Sequence, residues 1–186
     1  MVTLRSELAY AQLSQNNANQ SYQLNNPISV PYLKKNLQKA QPRLVLNQAT
    51  EKRLREKLQT DPLIQHIYQA IKYNAASVLA LDLITVDIPD NPRSQQNQLG
   101  ISRDFLYRIN MLGMVYFVEK NPDILQRLNE EVIAACNFPT WNPKHFLDVG
   151  EMSLAIALAL DWTAGKLPKS TISLAKKSLI EKGIMP

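Results

Sequence analysis

Cysteine is nearly absent from this chain: Cys136 stands alone among 186 residues. One thiol excludes an internal disulfide and any multi-cysteine metal site. Cys136 falls on the apolar register of a predicted helix, where a free cysteine packs as a small hydrophobe. Glycine is scarce too, with five residues, and this argues against a turn-dense all-β domain. The histidines number two, and His66 has no Cys, Asp or Glu at metal-ligand spacing, so no metal site is expected. No apolar run reaches the roughly 18–20 residues of a membrane span; the longest surrounds Met152–Leu160. The N-terminus has no apolar core of a signal peptide, as a mature secreted chain with an added start methionine also would not. Glycine-rich phosphate loops and nucleophile elbows are absent, and no cofactor is implied.

What is present is a soluble-type composition, 45% hydrophobic and 20% charged, with a net charge of +5. The excess of positive charge favours anionic partners in a general way. It is dispersed, however: Lys52, Arg53, Arg55 and Lys57 interleave with Glu51 and Glu56, as on a solvated helix face. A basic stripe with interleaved aromatics is missing, so nucleic acid is not an expected partner.

Residues 1–41, rich in Asn, Gln, Ser and Lys, read as a flexible or irregular lead-in, extended where Pro27, Pro31 and Pro42 punctuate it, with a short helix over Met1–Leu13 as one reading. Helices with readable ends follow. Asn47 caps a segment running through Leu58, and Asp61-Pro62 opens one reaching Ala80, with Ile64, Ile67, Tyr68, Ile71, Ala75 and Val78 on one face. Leu83–Pro89 reads as a short extended segment or a loop, and Asp90–Gly100 as a surface loop. Ser102 is expected to cap a helix through Glu119, with Phe105, Leu106, Ile109, Leu112 and Tyr116 inward. Asn121-Pro122 starts the next, through about Cys136. The last two span about Val149–Trp162 and Lys169–Lys182, the latter stopping at Gly183 in a left-handed conformation. Tyr68, Tyr73, Tyr107 and Tyr116 fit helix packing. The predicted fold class is all-α, built of paired antiparallel helices without a fixed-period repeat.

Between the apolar helices lies Phe138-Pro139-Thr140-Trp141-Asn142-Pro143-Lys144-His145-Phe146-Leu147-Asp148. A helix connection needs only a few polar residues, and an aromatic-rich loop on a rigid scaffold suits ligand contact. Each candidate here carries two readings. His145 can donate to a sugar hydroxyl or carboxylate, or cap the following helix. Asn142 can point at a ligand or form the turn. Trp141 can stack on a pyranose ring or plug the core, and Phe146 is a second candidate plug. Asp148 and Glu151 sit where a helix dipole favours negative charge, and Glu151 can pair with a basic residue.

This loop and its continuation to Trp162 resemble the heparinase II/III-like polysaccharide lyases. The resemblance extends to Gln41-Pro42-Arg43-Leu44-Val45-Leu46, similar to the family's "HPRLLL" opening with Gln41 in place of His. It takes in Asp61-Pro62, Leu99-Gly100-Ile101-Ser102-Arg103, the Glu119–Asp123 turn and the closing Ile180–Pro186. It implies that 42–186 is the N-terminal part of an incomplete (α/α) toroid, completed by further helices and a β-sandwich domain. It also implies a periplasmic or secreted enzyme that cleaves uronic-acid-containing glycans by β-elimination. An acidic polysaccharide is then the expected partner, with Asn142, His145, Trp141 and Glu151 as substrate-binding candidates. None of the family's proton-transfer motifs maps onto this sequence, so no catalytic residue is assigned and the chain is expected to be inactive alone. A noncatalytic helical module that binds an anionic partner is the alternative.

Overall fold

Asn47 shows how the helices are specified: its Oδ1 accepts the N–H of Thr50 at 2.9 Å and opens a helix over Gln48–Thr60. A side-chain acceptor there satisfies one of the N–H groups that a helix start leaves unpaired. The computed structural model describes residues 29–86 and 98–186. The possible helix over Met1–Leu13, Pro27, the end of the Leu83–Pro89 expectation and most of the Asp90–Gly100 one lie outside the described residues; Leu83–Val86 is described and forms no strand. The chain divides into two units, 1–37 and 38–186.

In the first unit, Val30–Asn36 forms helix α1. Ser29 accepts from the N–H of Tyr32, and Pro31 sits in the first turn. Pro31 therefore starts a helix rather than punctuating an extended lead-in, since its missing N–H costs nothing at that position.

The second unit holds α2 (Gln48–Thr60), α3 (Pro62–Leu79), α4 (Gln98–Glu119), α5 (Pro122–Cys136), α6 (Phe146–Trp162) and α7 (Lys169–Ser178), which runs into a π-helical turn at Leu179–Ile184. Among the described residues there is no strand, and no helix is long and apolar enough to cross a membrane. Asp61 alone separates α2 from α3: its N–H closes α2 on the Lys57 carbonyl while its carboxylate accepts from Leu63 and Ile64. Two residues, Lys120 and Asn121, join α4 to α5, which pack on one another as a hairpin.

The long α4 lies at the centre, against α3, α5 and α6, while α7 packs on α5 and the π turn on α6. Phe105, Ile109 and Leu112 of α4 meet Leu128 and Val132 of α5 and Val149 and Ile156 of α6 in one fully buried cluster. Each such side chain contributes about 1.5–3 kcal/mol by leaving water. Gly113 sets the closeness of α4 and α6, because a Cβ there would come within 2.8 Å of the Trp162 ring.

Several expectations move. α4 begins at Gln98, ahead of Ser102, whose hydroxyl serves a tertiary partner instead of a cap. Tyr73, Tyr107 and Ile67 are exposed rather than packed, whereas Tyr68 and Tyr116 are buried. Gly183 lies inside the π turn and not in a left-handed stop. What it provides is room: a Cβ would approach Ser153 Oγ to 2.6 Å, so the turn closes directly onto α6.

Candidate functional site

The head of α6 is built by a left-handed residue. Asn142 has φ 57°, a conformation Asn tolerates because its short polar side chain bonds locally. Its N–H goes to Thr140 Oγ1 at 3.1 Å and its Nδ2 to Asp148 Oδ2 at 2.7 Å. The other Asp148 oxygen lies 2.8 Å from Nδ1 of His145. Asp148 is 2% exposed and the His145 side chain 53% exposed. A buried carboxylate in the first turn of a helix thus holds two loop side chains, favoured by the helix dipole and satisfied at both oxygens. His145 stands at the N-cap position without a side-chain capping bond. Its role is set by Asp148, one turn ahead.

Three residues beyond Asp148, Glu151 takes up two groups from α4. Ser102 Oγ donates to Oε2 at 2.6 Å and Arg103 Nε to Oε1 at 3.3 Å. The expected pairing of Glu151 with a basic residue is therefore made by Arg103. That guanidinium remains 61% exposed, so the pair is worth little as a salt bridge, and among the described residues its terminal nitrogens carry no hydrogen bond. Ser102, Thr140, Trp141, Asp148 and Met152 line a small cavity beneath the cluster.

Trp141 supports this surface from below. It is 3% exposed, and its indole N–H donates to the Ala135 carbonyl at 3.1 Å. Its ring is a core plug and offers no open face for stacking. Phe146 behaves in the opposite way: it is 67% exposed, next to His145, with Leu147 and Leu154 also exposed on the outer side of α6. The helix phase gave no warning of this, since Phe146 stands three residues before Val149 of the buried stripe; it is exposed as the first residue of α6.

Lys182 was not singled out by sequence. Its ammonium donates to the carbonyls of Cys136 and Phe138, neutralising the C-terminal end of α5 where the loop departs. Burial raises the pKa of the Cys136 thiol, in keeping with a packing role. A second cluster, also unforeseen, surrounds Glu131, which is 0% exposed. Arg108 and Arg127 both donate to its Oε1, and the N–H of Ile84 donates to Oε2. The same guanidiniums reach the carbonyls of Leu81 and Asp82. Both Glu131 oxygens are occupied, so it is a structural knot. Among the described residues no group of His, Cys, Asp or Glu is arranged to hold a metal.

The structure therefore unites Asn142 and His145 through Asp148, places Glu151 one turn along the same helix, and withdraws Trp141 into the core. No family model and no curated protein matches this chain.

Proposed function

We propose that this chain is the N-terminal helical scaffold of a polysaccharide lyase that acts on uronic-acid-containing glycans, as its resemblance to the heparinase II/III-like family implies. The observation that carries the reading is the head of α6, where an exposed imidazole is held by a buried carboxylate beside an exposed aromatic ring. Pyranose rings present hydroxyls at their edges and C–H groups on their faces. His145 serves the first and Phe146 the second, with Arg103 available to a carboxylate or sulfate. Sequence-adjacent helices packed in hairpins fit part of an incomplete (α/α) toroid, with the remaining helices and a β-sandwich domain as its partners. A periplasmic or secreted location goes with that substrate.

In such a β-elimination a base takes the C5 proton, and the C–H electron pair becomes the C4=C5 double bond. The C4–O4 bond then breaks, and an acid protonates O4. Donors to the uronate carboxylate lower the barrier by stabilising charge as it develops at C5. Among the described residues no tyrosine lines the cavity beside Asp148, and the proton-transfer groups are assigned to residues outside this chain. The test is incubation with heparan sulfate, heparin, alginate and hyaluronan, following ultraviolet absorbance of the unsaturated uronate and binding by calorimetry. Binding without turnover is expected. Turnover by this chain alone would overturn the scaffold assignment, and absence of all binding would leave the anionic-partner module in its place.

A further inference from the structure

We infer that His145 meets its ligand as a hydrogen-bond acceptor, through Nε2, and that the anionic group of the same ligand goes to Arg103 about one helical turn away. Asn142 and Asp148 act as positioning residues for the imidazole. The inference rests on the glycan reading above and specifies which sugar groups the surface takes.

The argument starts from Asp148. An ionised carboxylate only accepts hydrogen bonds, and here one oxygen accepts from Asn142 Nδ2 at 2.7 Å while the other faces His145 Nδ1 at 2.8 Å. The proton of the neutral ring must therefore sit on Nδ1, and Nε2 carries the lone pair; the partner fixes the tautomer. Turning the ring over would set a C–H against a buried carboxylate and strand one of its oxygens, an outcome that costs the desolvation of that group. The free nitrogen belongs to a half-exposed side chain, so an O–H from outside can reach it. This reverses the donor role expected from sequence. A neutral His145 fixed in this way has no proton to give to a carboxylate, but it accepts one from a sugar hydroxyl.

Arg103 supplies the complementary half. Asp148 and Glu151 are three residues apart on α6, hence neighbours on the helix surface, with Cβ atoms about 5–6 Å apart. Glu151 engages Arg103 by a 3.3 Å contact at Nε, which leaves the terminal nitrogens for bidentate contact with a carboxylate or sulfate. An acceptor and a cationic fork, each anchored to a carboxylate of α6 three residues from the other, suit a hydroxyl and an anionic substituent on one sugar or on adjacent sugars. A simple anion would engage the Arg103 half alone.

The experiment uses the full 186-residue chain with a heparosan hexasaccharide and its carboxyl-reduced counterpart. Long-range proton–nitrogen NMR of histidine-labelled protein reads the tautomer, and calorimetry reads affinity. His145 is expected as the Nδ1–H form, with Nε2 shifting on addition of either sugar. His145→Ala should weaken both sugars about tenfold. Arg103→Ala should weaken the native sugar about tenfold and leave the reduced one unchanged. Asp148→Asn, whose amide can donate to Nδ1, should shift the tautomer balance toward Nε2–H, a change that a role in packing alone would not produce. An Nε2–H tautomer in the unaltered protein overturns the inference, as does glycan binding indifferent to His145→Ala. If neither sugar binds, the glycan reading itself is lost, and the tautomer still decides the positioning role of Asn142 and Asp148.

Discussion

Asp148 illustrates how one buried charge organises a surface. Both of its oxygens are occupied by side chains from the preceding loop, so the loop cannot move without exposing an unpaired carboxylate to an apolar setting. Trp141 and Phe146 flank that cluster with opposite fates, although both are large aromatics in one short loop. The difference is physical: Trp141 has an indole N–H that finds the Ala135 carbonyl, whereas Phe146 is the first residue of α6 and its ring stays in solvent. Truncation separates them. Trp141→Ala should cost about 3–5 kcal/mol by opening a cavity, while Phe146→Ala should stay within about 0.5 kcal/mol as a surface change. Denaturant unfolding of the two variants measures this; comparable losses would mean that Phe146 is covered in solution.

Helix boundaries were legible where a cap acts alone and illegible where tertiary bonds recruit it. Asn47, Asp61 and Asn121 each bond the first turn of their own helix, as their spacing from the apolar register implies. Ser102 has the same chemistry but donates to Glu151 across the α4–α6 contact, and no local pattern reveals a partner that far along the chain. The loop residues Asn142 and His145 were recognisable as a group; the buried carboxylate joining them was read only as a helix-start charge. Asp61 offers a test with a definite sign. Its carboxyl pKa is lowered, first by the hydrogen bond from Lys57 and then, against some desolvation, by the N–H of Ile64, the Lys57 charge and the N–H of Leu63. A carboxyl depressed in the folded state stabilises above its unfolded value, near 3.9, and that contribution is lost as pH falls through the folded value. Thermal unfolding should therefore show Asp61→Asn less stable than the native protein at neutral pH. The gap should close below about pH 4; a gap constant with pH would remove the electrostatic part of the cap.

On the scale of the molecule, the apolar periods announced an all-helical protein, while the charge knot inside it stayed hidden. Asp104–Arg108 and Arg127–Glu131 have the four-residue spacing of solvated helix pairs, and charged residues are rarely fully buried unless paired. Here the two pairs face each other, and Glu131 accepts from both arginines as well as from the backbone of Ile84. The knot thereby joins α4 to α5 and fastens the Leu81–Ile84 segment that leaves α3. Burying such charges carries a desolvation cost that good geometry offsets, so the intact knot adds little net stability. Breaking it is another matter. Glu131→Gln leaves two guanidiniums facing a neutral amide inside the protein and should destabilise by about 3–5 kcal/mol. Replacing Arg108, Arg127 and Glu131 together by Met, Met and Leu removes both guanidiniums along with the carboxylate and should recover a large part of that loss. Chemical denaturation of the single and triple variants measures both. If the triple variant is as unstable as Glu131→Gln, the knot stabilises through its grip on the Leu81–Ile84 backbone rather than through charge balance, because the triple variant removes the arginine bonds to those carbonyls.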